Sequence, residues 1–400
     1  MARLEKRVYS SATLSKKKYT DVNRREFLRA GLLAGTGVLA APMVNRGRFN
    51  LFADAADTKA EISARAIDLV GRSMVVDMLG LLTLDWPKLY GWQRKPATFS
   101  EADYLKLRQT GVRVFHPAVE PNEPDPYEAA LRWTTGWNRF LGAHPEYLVR
   151  MDTAEDFARA GSEGKTEGKI GVLIGFQNAD HFRTAADVET FHKVGQRVSQ
   201  LTYNSRNRLG CGCKEPQDSG LTPFGAEIVA AMNRVGMAVD ISHTADRTSL
   251  DAIRVSKKPV LVTHSNCRAL VAHPRCKSDK LIKAMAERGG VMGITVIPAF
   301  VKSGQPARIE HVLDHFEHVV RVAGIEHVGL GSDADVDAID PRTNRVRPRY
   351  NVVGLKHPRR VFELTEGLIR RGYTDRQIEL MLGGNFQRVL GEIWGKPANA

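Results

Sequence analysis

The chain has 400 residues, 42% of them hydrophobic and 26% charged, and no apolar run reaches the roughly 18–20 residues of a bilayer-spanning helix, so a membrane-embedded body is excluded. Its net charge of +13 invites a nucleic-acid reading, but residues 1–55 alone carry +7. The +6 spread over the rest is too diffuse for a nucleic-acid footprint.

The first element in chain order is an address. Asn23-Arg24-Arg25-Glu26-Phe27-Leu28-Arg29, followed by the weakly apolar stretch from Ala30 to Ala41, matches the twin-arginine export pattern. The Gly and Ala content of Gly31–Gly37 is poor for a packed helix, which argues against an amphipathic surface helix here. Ala53-Asp54-Ala55 offers a small-x-small cleavage site, and an earlier cut near Ala41 also fits. We therefore expect residues 1–55 to be a signal peptide and spacer read by the twin-arginine export machinery. Residues 56–400 then form one domain, and the mature protein is periplasmic or secreted.

Beyond the leader, short β-branched runs alternate with helix-like stretches, the pattern of a parallel α/β sheet. The predicted strands are Met74–Leu79, Val112–Ala118, Ile170–Gln177, Val198–Tyr203, Ala238–His243, Val260–His264, Gly290–Ile297 and His327–Asp333. Eight of them predict a closed (β/α)8 barrel of the TIM type rather than an open sheet. Phe224–Val235, Leu281–Arg288 and His311–Ala323 have the amphipathic pattern of crossover helices. The basic stretch Pro341–Tyr350 reads as a loop. Thr374-Asp375-Arg376-Gln377 reads as a capping box opening a helix that Gly383-Gly384 ends, and Asn385 can cap the next, so the chain finishes in closing helices.

In such barrels the chemistry sits where strands end and loops begin. Those ends carry Asp77, His116, Gln177, Tyr203, His243, His264 and Asp333. One histidine at a strand end is ordinarily a hydrogen-bonded core or loop residue. Two histidines and an aspartate at one mouth are a donor set that zinc selects. The four cysteines, Cys211, Cys213, Cys267 and Cys276, are too few for a disulfide scaffold and are not spaced as a zinc ribbon.

Gly220-Leu-Thr-Pro-Phe-Gly-Ala-Glu-Ile-Val, Asp240-Ile-Ser-His243, Thr263-His264-Ser-Asn-Cys-Arg-Ala-Leu, His273-Pro-Arg275, His327-Val-Gly-Leu-Gly-Ser-Asp333 and Gly383-Gly-Asn-Phe-Gln-Arg-Val-Leu follow one another in the order and spacing of a known family. Together they resemble the membrane dipeptidases, the zinc-dependent peptidase family M19, over roughly residues 70 to 395. The resemblance implies an amidohydrolase-like barrel in which a metal-bridged hydroxide attacks the peptide carbonyl of a dipeptide. It implies that His243 and His264 ligate the second zinc, that Asp333 is a catalytic carboxylate of the first site, and that Arg275 holds the substrate's terminal carboxylate. We assign Asn385, in the last motif, as a further substrate contact. Family members are commonly homodimers, so a homodimer is expected here.

The departures matter equally. Leu79 and Leu81 stand where the family has two first-strand ligands, Gln177 where it has the bridging glutamate, and Tyr203 where it has a substrate-polarising histidine. Two dications beside a single matched carboxylate would repel strongly in a partly buried site. One zinc on His243, His264 and Asp333, with water in the fourth position, satisfies the usual three-ligand layout. His116, Asp85 and the pair Cys211 and Cys213 are conceivable substitute ligands. Loop anchoring, turn capping, and a disulfide or burial are their respective alternatives. Cys267 and Cys276 flank the Arg275 loop and can pair with each other. Tyr203 can still donate to a developing oxyanion, a catalytic and substrate-binding role, and Gln177 can orient a water. The expected function is metal-dependent hydrolysis of dipeptides or related small amides; the alternative is a non-catalytic barrel that binds a peptide or a protein partner.

Overall fold

Each predicted strand run supplies a short parallel strand, and the eight close into a ring. They are β1 (Val76–Asp77), β2 (Val114–Phe115), β3 (Ile170–Val172 continuing as Gly175–Phe176), β4 (Val198–Gln200), β5 (Ala238–Asp240), β6 (Val260–Ser265), β7 (Met292–Ile294) and β8 (Val328–Leu330). The computed structural model describes residues 62–121, 123–161, 168–304 and 306–395. The Arg24-Arg25 leader, its cleavage points and the boundary at residue 55 lie outside the described residues.

Closure depends on β3. Its first half pairs with β2 through Val114↔Gly171 and its second half pairs with β4 through Gly175↔Val198. The break at Leu173 and Ile174 is therefore a corner at which the strand changes neighbours. At that corner a Cβ on Gly175 would stand 2.2 Å from His116 Nε2, so only glycine fits. The ring is completed by β8 against β1, Leu330 facing Asp77. Several short strands were not expected: Leu148–Arg150 pairs in parallel with the first half of β3 outside the ring, Gly80–Leu81 pairs with Ala334–Asp335, and Ile339–Asp340 pairs with Arg345–Val346, the latter within the stretch read as a loop.

The helices form for reasons visible in their ends. Pro223–Val235 begins at Thr222, whose hydroxyl accepts the Gly225 N–H, with Pro223 at the first turn, and stops at Gly236, where φ is +78°. Its buried Ile228, Val229, Ala231 and Met232 face the sheet. Asp279–Glu287 and Ile309–Ala323 match the other two predicted crossovers. At the C-terminus the capping box of Thr374 and Gln377 opens Asp375–Glu379 as expected. Gly383 and Gly384 do not end the helical path. The chain continues through a π-type turn, Leu380–Gly384, kinked at Gly383, into Asn385–Trp394. Gly383 is required by close approach, since a Cβ there would lie 1.9 Å from the Met74 carbonyl oxygen. Phe386, Val389, Leu390 and Ile393 of this last helix join Val76, Val114, Val198, Ala238 and Leu261 in one buried cluster. The closing helix thus plugs the end of the barrel opposite the mouth.

The first strand is fastened to the eighth by charge. Asp77, fully buried, accepts from the Ser332 N–H at 2.8 Å and hydroxyl at 2.6 Å and from the Arg360 guanidinium at 3.0 Å. Arg360, equally buried, also donates to the Asp335 and His357 carbonyls. Removing one member of such a pair strands the other charge. Arg360→Met should lower the unfolding free energy by about 3–5 kcal/mol in urea titration at neutral pH, and a loss below about 1 kcal/mol would contradict this role.

Candidate active site

At the C-terminal ends of the strands lies a cavity of about 730 Å³ lined by Gln177, Tyr203, His243, Arg275 and Asp333 among the expected residues. Glu120, Asn204, Lys214 and Arg349, which the sequence did not single out, line it too. His264 lies beneath His243, with no solvent exposure.

The two histidines are the best-defined part of the site. Their Nε2 atoms stand 3.1 Å apart. Burial, then the Arg275 charge, holds both imidazoles well below the usual histidine range, so both are neutral at neutral pH. Their tautomers follow from their other nitrogens. His243 Nδ1 is 3.0 Å from the Asn204 side-chain oxygen, an acceptor, and therefore carries the proton. His264 Nδ1 is 2.9 Å from the Thr263 hydroxyl, whose own hydrogen is committed to Asp240 at 2.6 Å. That hydroxyl must accept from His264. Both Nε2 lone pairs consequently point into the same small space. With these tautomers the two acceptors are spaced to share a cation, since two nitrogens bound to one ion at about 2.0–2.1 Å lie about 3–3.4 Å apart. The pair fits a metal ion.

The third expected donor does not join them. Among the described residues no group of three His, Cys, Asp or Glu side chains is placed to hold an ion. Asp333 has a left-handed backbone, φ +58°, and its N–H is tied to the Leu79 carbonyl at 3.0 Å. The opposite charges acting on its carboxylate are Arg275 and Arg349; burial outweighs them and raises its pKa to about 6.

Arg275 is 2% exposed and donates to the Ser242 carbonyl at 2.5 Å and the His264 carbonyl at 3.1 Å, while its Nε has no partner. A buried, half-satisfied guanidinium on a cavity wall suits an incoming carboxylate. Tyr203 stacks on His243 with ring centroids 4.1 Å apart and planes 19° from parallel, fixing the imidazole plane. Burial raises its phenol pKa, so it remains a hydrogen-bond donor. Gln177 donates to the Ala118 carbonyl at 3.0 Å.

The sequence profile of the membrane dipeptidases, peptidase family M19, matches residues 49–396. The chain belongs to this family. It is 29% identical to the dipeptidase aclJ of Aspergillus oryzae over 310 residues, 74% of this chain and 70% of that protein. An uncharacterized dipeptidase of Schizosaccharomyces pombe is 30% identical over 314 residues, 72% and 71% of the two chains. Among solved structures, an amidohydrolase from Pseudomonas aeruginosa superposes with a TM-score of 0.71 at 29% identity, covering 83% of this chain and 99% of its own. A dipeptidase of the same peptidase family superposes with a TM-score of 0.67 at 20% identity, covering 81% and 99%. This likeness establishes the TIM-barrel fold.

Several residues weighed as M19-type site residues lie elsewhere. Asn385 is fully buried and donates to the Ile325 and Val328 carbonyls, at the start of β8 and so at the end of the barrel away from the mouth; it is no substrate contact. Asp85 caps Trp86–Arg94 by accepting the Lys88 N–H. His116 donates through Nδ1 to the Met78 carbonyl at 2.7 Å, and its buried Nε2 has no partner, but it joins no metal-holding group. Cys211 bonds within its own loop, to Ser219 and the Gln217 carbonyl, and Cys213 reaches the Asn204 oxygen. All four cysteines are free and buried, and the thiols of Cys267 and Cys276 point to the His315 and Phe300 carbonyls instead of each other. Leu79 and Leu81, which stand where the resemblance places two ligands, are buried apolar residues.

The Asp333 carboxyl gives a pH signature in the metal-free protein. The folded state keeps its proton to about pH 6, whereas the unfolded chain releases it near 3.8. Between those values the folded state holds the Asp333 proton more tightly, so this group alone lowers the unfolding free energy as pH rises from about 4 to 6, by on the order of 2–3 kcal/mol. The buried neutral histidines, His243 and His264 among them, act in the opposite sense over the same range and make the total rise with pH. In urea titrations Asp333→Asn should therefore steepen that rise, and an unchanged slope in the variant would contradict a raised Asp333 pKa.

Proposed function

We propose that this protein hydrolyses dipeptides or related small amides outside the cytoplasm, using a single metal ion held by His243 and His264. The observation that carries the reading is the convergence of two Nε2 lone pairs 3.1 Å apart, each fixed by a hydrogen bond on the far nitrogen. When bound, a zinc-type ion lowers the pKa of a water toward 7.

The chain's own residues supply the rest. The free Arg275 Nε and its planar guanidinium bind the substrate carboxylate and set which amide bond faces the histidines. Asp333, with a pKa of about 6, takes a proton from the attacking water and returns it to the leaving amine at neutral pH. Tyr203, a neutral phenol on the same wall, donates to the carbonyl oxygen as charge develops there. Family membership and the dipeptidase names of its relatives support the amide substrate class.

A second reading is a barrel that binds a peptide without cleaving it. That no third donor stands beside His243 and His264 among the described residues favours it. Metal analysis with turnover separates the two. Protein purified folded should carry about one ion per chain, and His243→Ala should lose both that ion and at least about a thousandfold in kcat on dipeptides. Asn204→Ala, which removes only the hydrogen bond behind His243, should weaken metal affinity by about 10–100-fold. Two ions per chain would contradict the single-metal assignment. Stoichiometric absence of metal together with no His243-dependent turnover would leave the binding reading.

A further inference from the structure

The cavity holds cations without carboxylates of their own. Neither the Lys214 ammonium nor the Arg349 guanidinium has a hydrogen-bond or ion-pair partner among the described residues; Arg349 lies over the Tyr350 ring, 4.9 Å from its centroid. The topology sets them apart. Lys214 belongs to the loop after β4, where its N–H bonds the Asn204 carbonyl at 2.9 Å and the adjacent Cys213 N–H bonds the His243 carbonyl at 2.7 Å. Arg349 follows the hairpin of Ile339–Asp340 and Arg345–Val346, built on the end of β8. In a ring of eight, the fourth and eighth strands are opposite. The Lys214 charge acts on His243 and His273; the Arg349 charge acts on Asp333 and on Tyr203, the ring that stacks on His243.

The cavity continues past Arg349. A second compartment of about 480 Å³ shares Leu84, Trp86, Arg349 and Tyr350 with the first and is walled by Arg342, Arg347, Asp85 and Asp340. Arg342 is paired with Asp340 at 3.0 Å, and Arg347 faces Asp335 at 3.6 Å. Arg349, at the junction, is the arginine left to meet an incoming anion. Trp86 and Tyr90, 38% and 41% exposed, give the same mouth an apolar wall.

The first compartment sets three cations, Arg275, Lys214 and Arg349, against two carboxylates, Glu120 and Asp333. An amide with a carboxylate in each half meets a cation at each end. We propose that the preferred substrates are dianionic N-acyl amino acids: the amino-acid carboxylate on Arg275 and Lys214, the acyl-chain carboxylate on Arg349, and no free α-ammonium. Water adds across the amide C–N bond, releasing a dicarboxylate and a free amino acid, with no redox change. This rests on the amide-hydrolase reading of the same cavity, and the test separates the two.

The metal-loaded protein is titrated calorimetrically with N-succinyl-L-alanine and with L-alanyl-L-alanine, and kcat/KM is measured for both. Wild type should favour the succinyl compound by about tenfold or more in binding and in kcat/KM. Arg349→Ala should reduce that preference at least about threefold, and Arg349→Glu should abolish or invert it while the far-UV spectrum stays native. Equal use of the two compounds, or a preference unmoved by Arg349→Glu, overturns the inference and leaves the hydrolase reading intact. Saturable, Arg349-dependent binding of N-succinyl-L-alanine without turnover upholds the anion site and removes the hydrolase reading. Absence of saturable binding of that compound overturns the inference whatever the turnover on dipeptides.

Discussion

Asp240, at the end of β5 and without solvent exposure, accepts four hydrogen bonds: from the backbone N–H groups of Ser242 and Thr263 and from both of their hydroxyls. With both hydroxyl hydrogens spent on one carboxylate, Ser242 Oγ can only accept from the His264 N–H, and Thr263 Oγ1 can only accept from His264 Nδ1. The tautomer of the His264 imidazole is therefore set two hydrogen bonds away, by a carboxylate outside the cavity lining. The same network joins β5 to β6 at the mouth, so the spacing of His243 and His264 belongs to the barrel and not to a loop.

This explains what the sequence made legible. Eight β-branched runs announce eight strands, because a parallel barrel buries both faces of each strand and selects Val, Ile and Leu throughout. His243, His264 and Asp333 were legible because they close those runs, and Arg275 through the His273-Pro-Arg275 motif of the family resemblance. Leu148–Arg150 was not, since a three-residue strand ending in Arg has no periodicity to detect and exists only by lateral pairing with β3. Asn385 misled for a related reason. Its place in a family-like motif reflects the plugging of the barrel floor, where its amide satisfies carbonyls at the start of β8. Asn204 adjoins Tyr203 at a strand end and could have been found by position. Lys214 and Arg349 lie on long loops, where only the closed ring determines that they face one cavity.

Leu79 and Leu81 are buried apolar side chains, 0% and 7% exposed, so the first-strand side of the mouth is packed. An unreplaced polar cavity would leave unsatisfied groups at a cost of about 1–3 kcal/mol each. The fully satisfied Asp77, held by Ser332 and Arg360, has become part of the framework.

The charge inventory ties these changes together. A binuclear centre needs carboxylates to offset two dications, and the cavity here has Glu120 and Asp333 facing Arg275, Lys214 and Arg349. Like charges about 4 Å apart repel by about 4 kcal/mol at an effective dielectric near 20, so each arginine or lysine turned toward the mouth works against a second ion. The same cations that make a second metal unfavourable make an anionic ligand favourable. With three cations and two carboxylates lining the cavity, part of its positive charge is carried by the protein itself.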